Sequence, residues 1–308
     1  MERSNDSCAY GFILVGFSDR PKLEMALFTV NLTLYSVAVL GNCTIILVCV
    51  LDPRLHTPMY FFLANLSFLD LCFSTSCVPQ MLANLWGPDK SISLGGCSVQ
   101  LFAFLSVGGV ECILLAVMAY DRYAAVCRPL HYSAIMHPQL CLRLLAAAWG
   151  SGLLNAVVMS PLTMTLPRCG RRRVNHFLCE MPALIKMACV DARAVEMLAF
   201  AFAILIVLLP LGLILVSYGY IAAAVRRIKS AAGRRKALNT CSSHLTVVSL
   251  FYGSIIYMYM QPGNSSSQDQ GKFLTLFYNL VTPMLNPLIY TLRNKEVKSA
   301  LKKVLGRR

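Results

Sequence analysis

The chain has 308 residues, 57% of them hydrophobic and only 14% charged. A soluble domain carries roughly 25% charged residues, so this deficit, with a mean hydropathy of +0.61, makes lipid the solvent and excludes a large soluble domain. The net charge of +14 does not indicate nucleic acid, because Lys and Arg cluster in short segments between apolar runs, where they act as topology signals.

The N-terminal stretch lacks a basic region leading into an apolar core and a small-residue cleavage site. No cleaved signal peptide is therefore expected, and the first span is read as a signal anchor. Asn5-Asp6-Ser7 is a glycosylation acceptor. Seven apolar runs follow, near 25–50, 58–82, 97–126, 140–163, 195–225, 237–260 and 272–292. Each is long enough to cross about 30 Å of hydrocarbon. The gaps are short, polar, or marked by Pro and Gly, as at Asp52-Pro53, Gly87-Pro88, Arg128-Pro129 and Gln261-Pro262-Gly263. After Tyr290, residues Val297, Ala300, Leu301, Val304 and Leu305 recur at helical spacing among basic residues. That pattern predicts a short amphipathic helix on the inner leaflet. The fold class is then an all-α membrane protein: a seven-transmembrane helix bundle with a short amphipathic C-terminal helix. It forms one domain over residues 1–308, with 1–24 extracellular and 293–308 a cytoplasmic tail.

Alternating the spans sends most of the 28 basic residues to one side, including Arg128, Arg226, Arg227, Arg234, Arg235 and the tail. On the other side Arg168, Arg171, Arg172, Arg173, Lys186 and Arg193 share one long loop, and long loops weigh less. The first side is cytoplasmic, as in a multi-pass plasma-membrane protein with its N-terminus outside. Of the 13 cysteines, Cys97, Cys169, Cys179 and Cys189 fall outside or at the outer border, where disulfides persist. Four cysteines allow three pairings, and spacing does not choose among them. Cys8 is left over, and the rest read as small, buried, reduced residues.

Two groups of charges stand in or beside hydrocarbon. Asp121-Arg122 ends the third span, and a charge near lipid is costly enough to mark a functional site. Glu111 lies three turns before Arg122, about 16 Å deeper, and Asp70 lies at a similar depth in the second span. Two acids there cannot both ionise cheaply unless a cation sits between them; otherwise one keeps its proton and bonds its neighbour.

Several strings carry a resemblance. Leu55-His56-Thr57-Pro58-Met59-Tyr60 opens the second span. Met118-Ala119-Tyr120-Asp121-Arg122-Tyr123 closes the third and continues through Cys127-Arg128-Pro129-Leu130-His131-Tyr132. Ser217-Tyr218 lies in the fifth, and Lys236-Ala237-Leu238-Asn239-Thr240-Cys241-Ser242-Ser243-His244-Leu245 enters the sixth. Pro283-Met284-Leu285-Asn286-Pro287-Leu288-Ile289-Tyr290 lies in the seventh, followed by Leu292-Arg293-Asn294. In this order, over nearly the whole chain, they resemble the olfactory receptors of the terrestrial-vertebrate class, a branch of the rhodopsin-like G-protein-coupled receptors. The departures are small: Ala124-Ala125-Val126 after Arg-Tyr, Val110 before Glu111, and the basic run Arg171-Arg172-Arg173 in the second outer loop.

The resemblance implies an odorant receptor. It would bind a small, mostly hydrophobic volatile ligand within the bundle, activate a stimulatory, olfactory-type heterotrimeric G protein, and raise cyclic AMP. It implies ligand contacts at Phe104, Leu105, Gly108, Gly109, Cys112, Phe202, Ile206, Tyr252, Ile255, Ile256, Tyr259, Leu276 and Asn279. The implied switch residues are Asp121, Arg122, Tyr123, Tyr218, His244, Asn286, Pro287 and Tyr290. Asp121 neutralises Arg122 at rest, Tyr218 and Tyr290 offer it hydroxyls on activation, and Pro287 kinks the seventh helix. His244 either bonds the Arg122 region or is a satisfied interfacial histidine. A sodium-type ion between Asp70 and Glu111 is implied, with Asn42, Ser67 and Asn286 nearby, and no other cofactor. The implied disulfides are Cys97–Cys179 and Cys169–Cys189.

Other classes are disfavoured by single positions. An amine receptor would carry Asp where this chain has Phe104, and a retinal protein would carry a Schiff-base Lys in the seventh span. An enzyme needs a nucleophile–base or metal constellation, and His56, His131, His137, His176 and His244 are scattered across both sides. A transporter predicts internal repeats, and none is visible in the sequence.

Overall fold

The structure is a computed structural model that describes residues 11–18, 20–259, 272–273 and 275–306. The glycosylation acceptor Asn5 and the leftover Cys8 lie outside the described residues. In chain order the elements are β1 (Gly11–Leu14), α1 (Pro21–Leu51), α2 (Pro58–Trp86), β2 (Ser91–Ser93), α3 (Leu94–Cys127), α4 (Tyr132–Ile135), α5 (Pro138–Met164), β3 (Arg173–Val174), α6 (Met181–Lys186), α7 (Arg193–Ala203), α8 (Leu209–Arg227), α9 (Ala231–Tyr259), α10 (Thr282–Arg293) and α11 (Lys295–Leu305). A π-helical stretch, Ile204–Leu208, joins α7 to α8, and a second, Phe277–Val281, leads into α10.

Helices α1, α2, α3, α5 and the joined α7–α8 are each long and apolar enough to cross a membrane. Helix α9 is diluted by Arg234, Arg235, Asn239, Ser242 and Ser243 in its first half. The spans start where proline fits best. Pro21, Pro58 and Pro138 occupy first-turn positions, whose N–H groups have no helical partner in any case. This is why α1 begins at Pro21, four residues before the apolar run that predicted it. Ser93 starts α3 by accepting from Gly96 N at 3.0 Å, also earlier than the apolar run. Between α1 and α2, Arg54 hydrogen-bonds the Asp52 carboxylate at 2.7 Å, which holds that carboxyl down at about 2.

Helix α3 is the central post, packed against α2, α5 and α8. Without a hydrophobic force between helices in lipid, close packing has to hold them together. The closest approach is at Gly152 of α5, where a Cβ would stand 2.5 Å from the Ser106 carbonyl oxygen of α3. Opposite it, a Cβ on Gly109 would meet Gly152 Cα at 3.2 Å. Apolar side chains of α8 such as Leu213, Leu215 and Val216 remain more than half exposed on the outer surface, as a lipid-facing side requires.

The outer end carries a small sheet that the periodicity did not predict. Strand β1 pairs antiparallel with β2 and parallel with β3. Gly16 follows with φ of +53° and Phe177 where a Cβ would be, so the chain turns there and sends Phe17 inward. Phe17 is 1% exposed and lies between the rings of Phe177 and Phe273. Lys272 Nζ donates to Gly16 O at 2.8 Å. Cys97 is bonded to Cys179, with Cα atoms 5.4 Å apart, and Cys169 to Cys189, at 6.0 Å. Of the basic run, Arg173 belongs to β3 and Arg172 O accepts from Ile13 N at 2.8 Å. Its backbone builds the sheet while its side chains face solvent.

Candidate functional site

Three sites lie along α3. At the outer end a cavity of about 120 Å³ opens between α3, α5, α7 and α9. Phe104, Leu105, Gly108, Gly109 and Cys112 line it from α3, Phe202 from α7, Ile206 from the π stretch and Ile255 from α9. Asn155, Met159, Met181, Ala199, Ala203 and Val207 complete the wall. Asn155 spends its amide on Leu105 O at 3.1 Å, leaving the lining mostly apolar with sparse polar groups, the usual make-up of a small-molecule site.

At the opposite end a crevice of about 590 Å³ is lined by Met59, Tyr60, Met118, Arg122, Arg235, Asn239, Ser243, His244, Tyr290, Asn294 and Glu296. Arg122 is 5% exposed, with Nη2 3.2 Å from Asp121 Oδ2. Tyr132 Oη donates to the other carboxylate oxygen at 2.7 Å. Asp121 is thus shared between its own helix and α4. Tyr218 Oη lies 2.7 Å from His244 Nδ1, and His244 Nε2 lies 3.1 Å from Leu115 O. His244 therefore ties α8 to α9 and reaches the α3 backbone two turns above Arg122, not Arg122 itself. The Tyr290 hydroxyl is buried with no hydrogen-bond partner among the described residues.

Between these two ends, Asp70, Glu111, Ser67, Asn42 and Asn286 are all at most 3% exposed. Asn286 Nδ2 donates to both Asp70 oxygens, at 2.9 and 3.2 Å, and the Asp70 and Glu111 carboxyls interact electrostatically. Asn42 gives its amide to the carbonyls of Ala38 and Pro283. The side-chain oxygens of Asn42 and Asn286 are buried without partners among the described residues. Carboxylate and amide oxygens are the hard donors that a cation such as sodium prefers, and of the two amides it is Asn286 that touches Asp70. Among the described residues there is no cluster of three His, Cys, Asp or Glu side chains.

A model of the olfactory receptor family matches residues 32–308 of this chain. The human olfactory receptors 2W1 and 2W3 are 62% and 64% identical to it over 305 residues. That alignment covers 99% of this chain and 95% and 97% of theirs. Mouse olfactory receptor 2C1 is 59% identical over 307 residues, covering 100% of this chain and 98% of its own. The chain belongs to the olfactory receptor family.

Its members are G-protein-coupled receptors rather than enzymes, with seven-transmembrane bundles and odorants and G proteins as partners. Against that background the expected ligand contacts divide. Eight line the outer cavity, and four described ones do not. Tyr252 is 2% exposed and donates to Cys112 O at 3.1 Å, bracing α9 on α3. Ile256 is 38% exposed because it lies one residue round the helix from Ile255. Leu276 packs in the outer cluster with Phe17 and Phe177. Asn279 turns its amide back on Thr275 O at 2.7 Å. The Tyr259 side chain lies outside the described residues.

Asn155 and Met159 of α5 and Met181 of α6 were not expected, because the resemblance implies contacts from the third, fifth, sixth and seventh spans alone. The switch residues gather at the inner end with three qualifications. Asn286 is bonded to Asp70 between the two ends, Tyr123 packs between the rings of Tyr120 and Tyr220 instead of facing the crevice, and Pro287 abuts Gly41 of α1. Leu130, 95% exposed at the inner end, was also missed. Its signal was a large apolar residue inside a polar connecting loop.

Proposed function

We propose that this olfactory receptor binds a small, mostly hydrophobic volatile molecule in the cavity beside Phe104 and Phe202, and activates a stimulatory, olfactory-type G protein that raises cyclic AMP. The reading rests on one observation: Cys112 in the wall of the outer cavity and Arg122 in the inner crevice stand on one unbroken helix. They are ten residues, roughly 15 Å, apart. A ligand pressing on α3 and its neighbours can bias the Asp121–Arg122 pair if it binds the two arrangements unequally. A screen of volatile compounds against a cyclic AMP reporter tests this. Arg122→Ala at normal surface density should lose the cyclic AMP response while keeping ligand binding. Normal signalling by that variant would sink the assignment.

The receptor is further read as a plasma-membrane protein with its N-terminus outside and its tail in the cytoplasm. Leu130, exposed in the loop that follows α3, suits an apolar contact with the G protein. A sodium ion held by Asp70 and Glu111, with Asn42, Ser67 and Asn286 around it, would neutralise two acids that the bundle solvates poorly. Bound there, it would supply charge balance and no chemistry.

A further inference from the structure

The inner crevice contains a contact that the Asp121–Arg122 pair does not explain. Tyr60, 2% exposed near the start of α2, donates its hydroxyl hydrogen to Glu296 Oε2 at 2.6 Å. The same hydroxyl oxygen accepts from Asn294 Nδ2 at 2.8 Å. Asn294 is the joint between α10 and the tail helix, and its own Oδ1 caps α11 by accepting from Glu296 N at 2.9 Å and Val297 N at 3.3 Å. One amide side chain thus starts the tail helix with its oxygen and ties that helix to α2 with its nitrogen. Val297 and Ala300, 2% and 0% exposed, seat α11 on the bundle.

The surroundings have the features of a resting arrangement. Arg122 is paired with Asp121, Tyr218 is given to His244, and Tyr290 has no partner among the described residues. For the Tyr290 hydroxyl to reach Arg122, the inner end of α10 must shift relative to α2. Asn294 lies one turn beyond Tyr290, so the shift drags the joint that Tyr60 holds. A hydrogen bond to a carboxylate is stronger than a neutral one, and this one draws on a side chain of each moving body.

We propose that Tyr60 and Glu296 form a latch that keeps the seventh helix in its resting place, so that opening it raises signalling without ligand. The proposal rests on the reading that activation works through the Arg122 crevice. Tyr60 is a positioning residue here: it acts on Arg122 only through α10.

Tyr60→Phe keeps the ring and deletes the hydroxyl, and Glu296→Ala deletes the acceptor from an exposed side chain. Ligand-free activity is read at matched surface density in cells, by cyclic AMP and in parallel by nucleotide exchange on the other G-protein classes. Either variant should exceed wild type by about three- to tenfold, the population shift that loss of one such bond allows. The double variant should be no higher than the larger single, and adding Arg122→Ala should return the signal to background. A rise confined to another G-protein class keeps the latch and removes the stimulatory reading. Ligand-free signals at or below wild type in both single variants, in every class, overturn the latch. So does reduced surface density with unchanged signal per receptor, which is what a merely structural bond would give.

Discussion

Glu111 and Asp70 are the residues whose chemistry is most constrained by their place. Both are buried, at 3% and 1% exposure, and the described partner of Asp70 is one amide, from Asn286. If a sodium ion sits between the two acids, raising sodium should lower agonist potency, because the ion would bind the resting arrangement better than the active one. Glu111→Gln keeps the shape, removes one charge, and should blunt that sodium effect at normal expression. Identical responses of wild type and Glu111→Gln when sodium is replaced by a large organic cation would leave a shared proton as the explanation. His244 gives a second lesson at this scale. Its two ring nitrogens are both engaged, by Tyr218 and the Leu115 carbonyl. The sequence left two readings open for it, and in the structure it joins three helices while lining the crevice that holds Arg122.

At the scale of elements, the outer lid and the α3–α5 contact carry separate consequences. The lid unites the N-terminal strand, the first outer loop and the second, and Cys97–Cys179 fastens it to the top of α3. Gln100 Oε1 of α3 also accepts a hydrogen bond from Cys179 N at 2.8 Å. Cys97→Ala and Cys179→Ala should therefore lose surface expression to the same degree, and the double variant should lose no more. Additive losses would mean that the cysteines act separately. On α5, Gly150 and Gly152 are two residues apart and make opposite predictions. A Cβ at Gly150 meets nothing within 4 Å, whereas one at Gly152 meets the α3 backbone at 2.5 Å. Gly150→Ala should be neutral or slightly stabilising, since Ala is about 1 kcal/mol better than Gly in a helix. Gly152→Ala should force the helices apart at a cost of about 1–3 kcal/mol and lower surface expression. Equal expression of the two variants would contradict this packing.

For the whole molecule, the arrangement of charge predicts orientation. The basic connections and tail gather at the Arg122 end, and the disulfides at the other. An antibody tag before Met1 should stain intact cells, and a tag after Arg308 should stain only permeabilised ones; the reverse pattern would invert the topology. The spans, the tail helix, the family and the Asp121–Arg122 pair were legible in the sequence. Each depends on local signals: apolar length, proline at helix starts, helical spacing, and strings in fixed order. The β1–β2–β3 lid was not legible, because its strands of two to four residues have no periodicity of their own and exist only by pairing across distant loops. The cavity wall was legible in part. Ile255 and Ile256 are equally apolar, and which one faces inward depends on the rotation of α9. Asn155 and Met159 enter the wall because Gly109 and Gly152 let α3 and α5 close together. Tyr60 and Asn294 stand in separate strings of the sequence, and only the fold brings them and Glu296 into one hydrogen-bonded group. The sequence by itself determined which segments enter the membrane and which residues can carry charge there, because the solvent sorts side chains one helix at a time. Only the tertiary structure decided which of those side chains meet, because contact depends on the rotation and closeness of helices far apart in the chain.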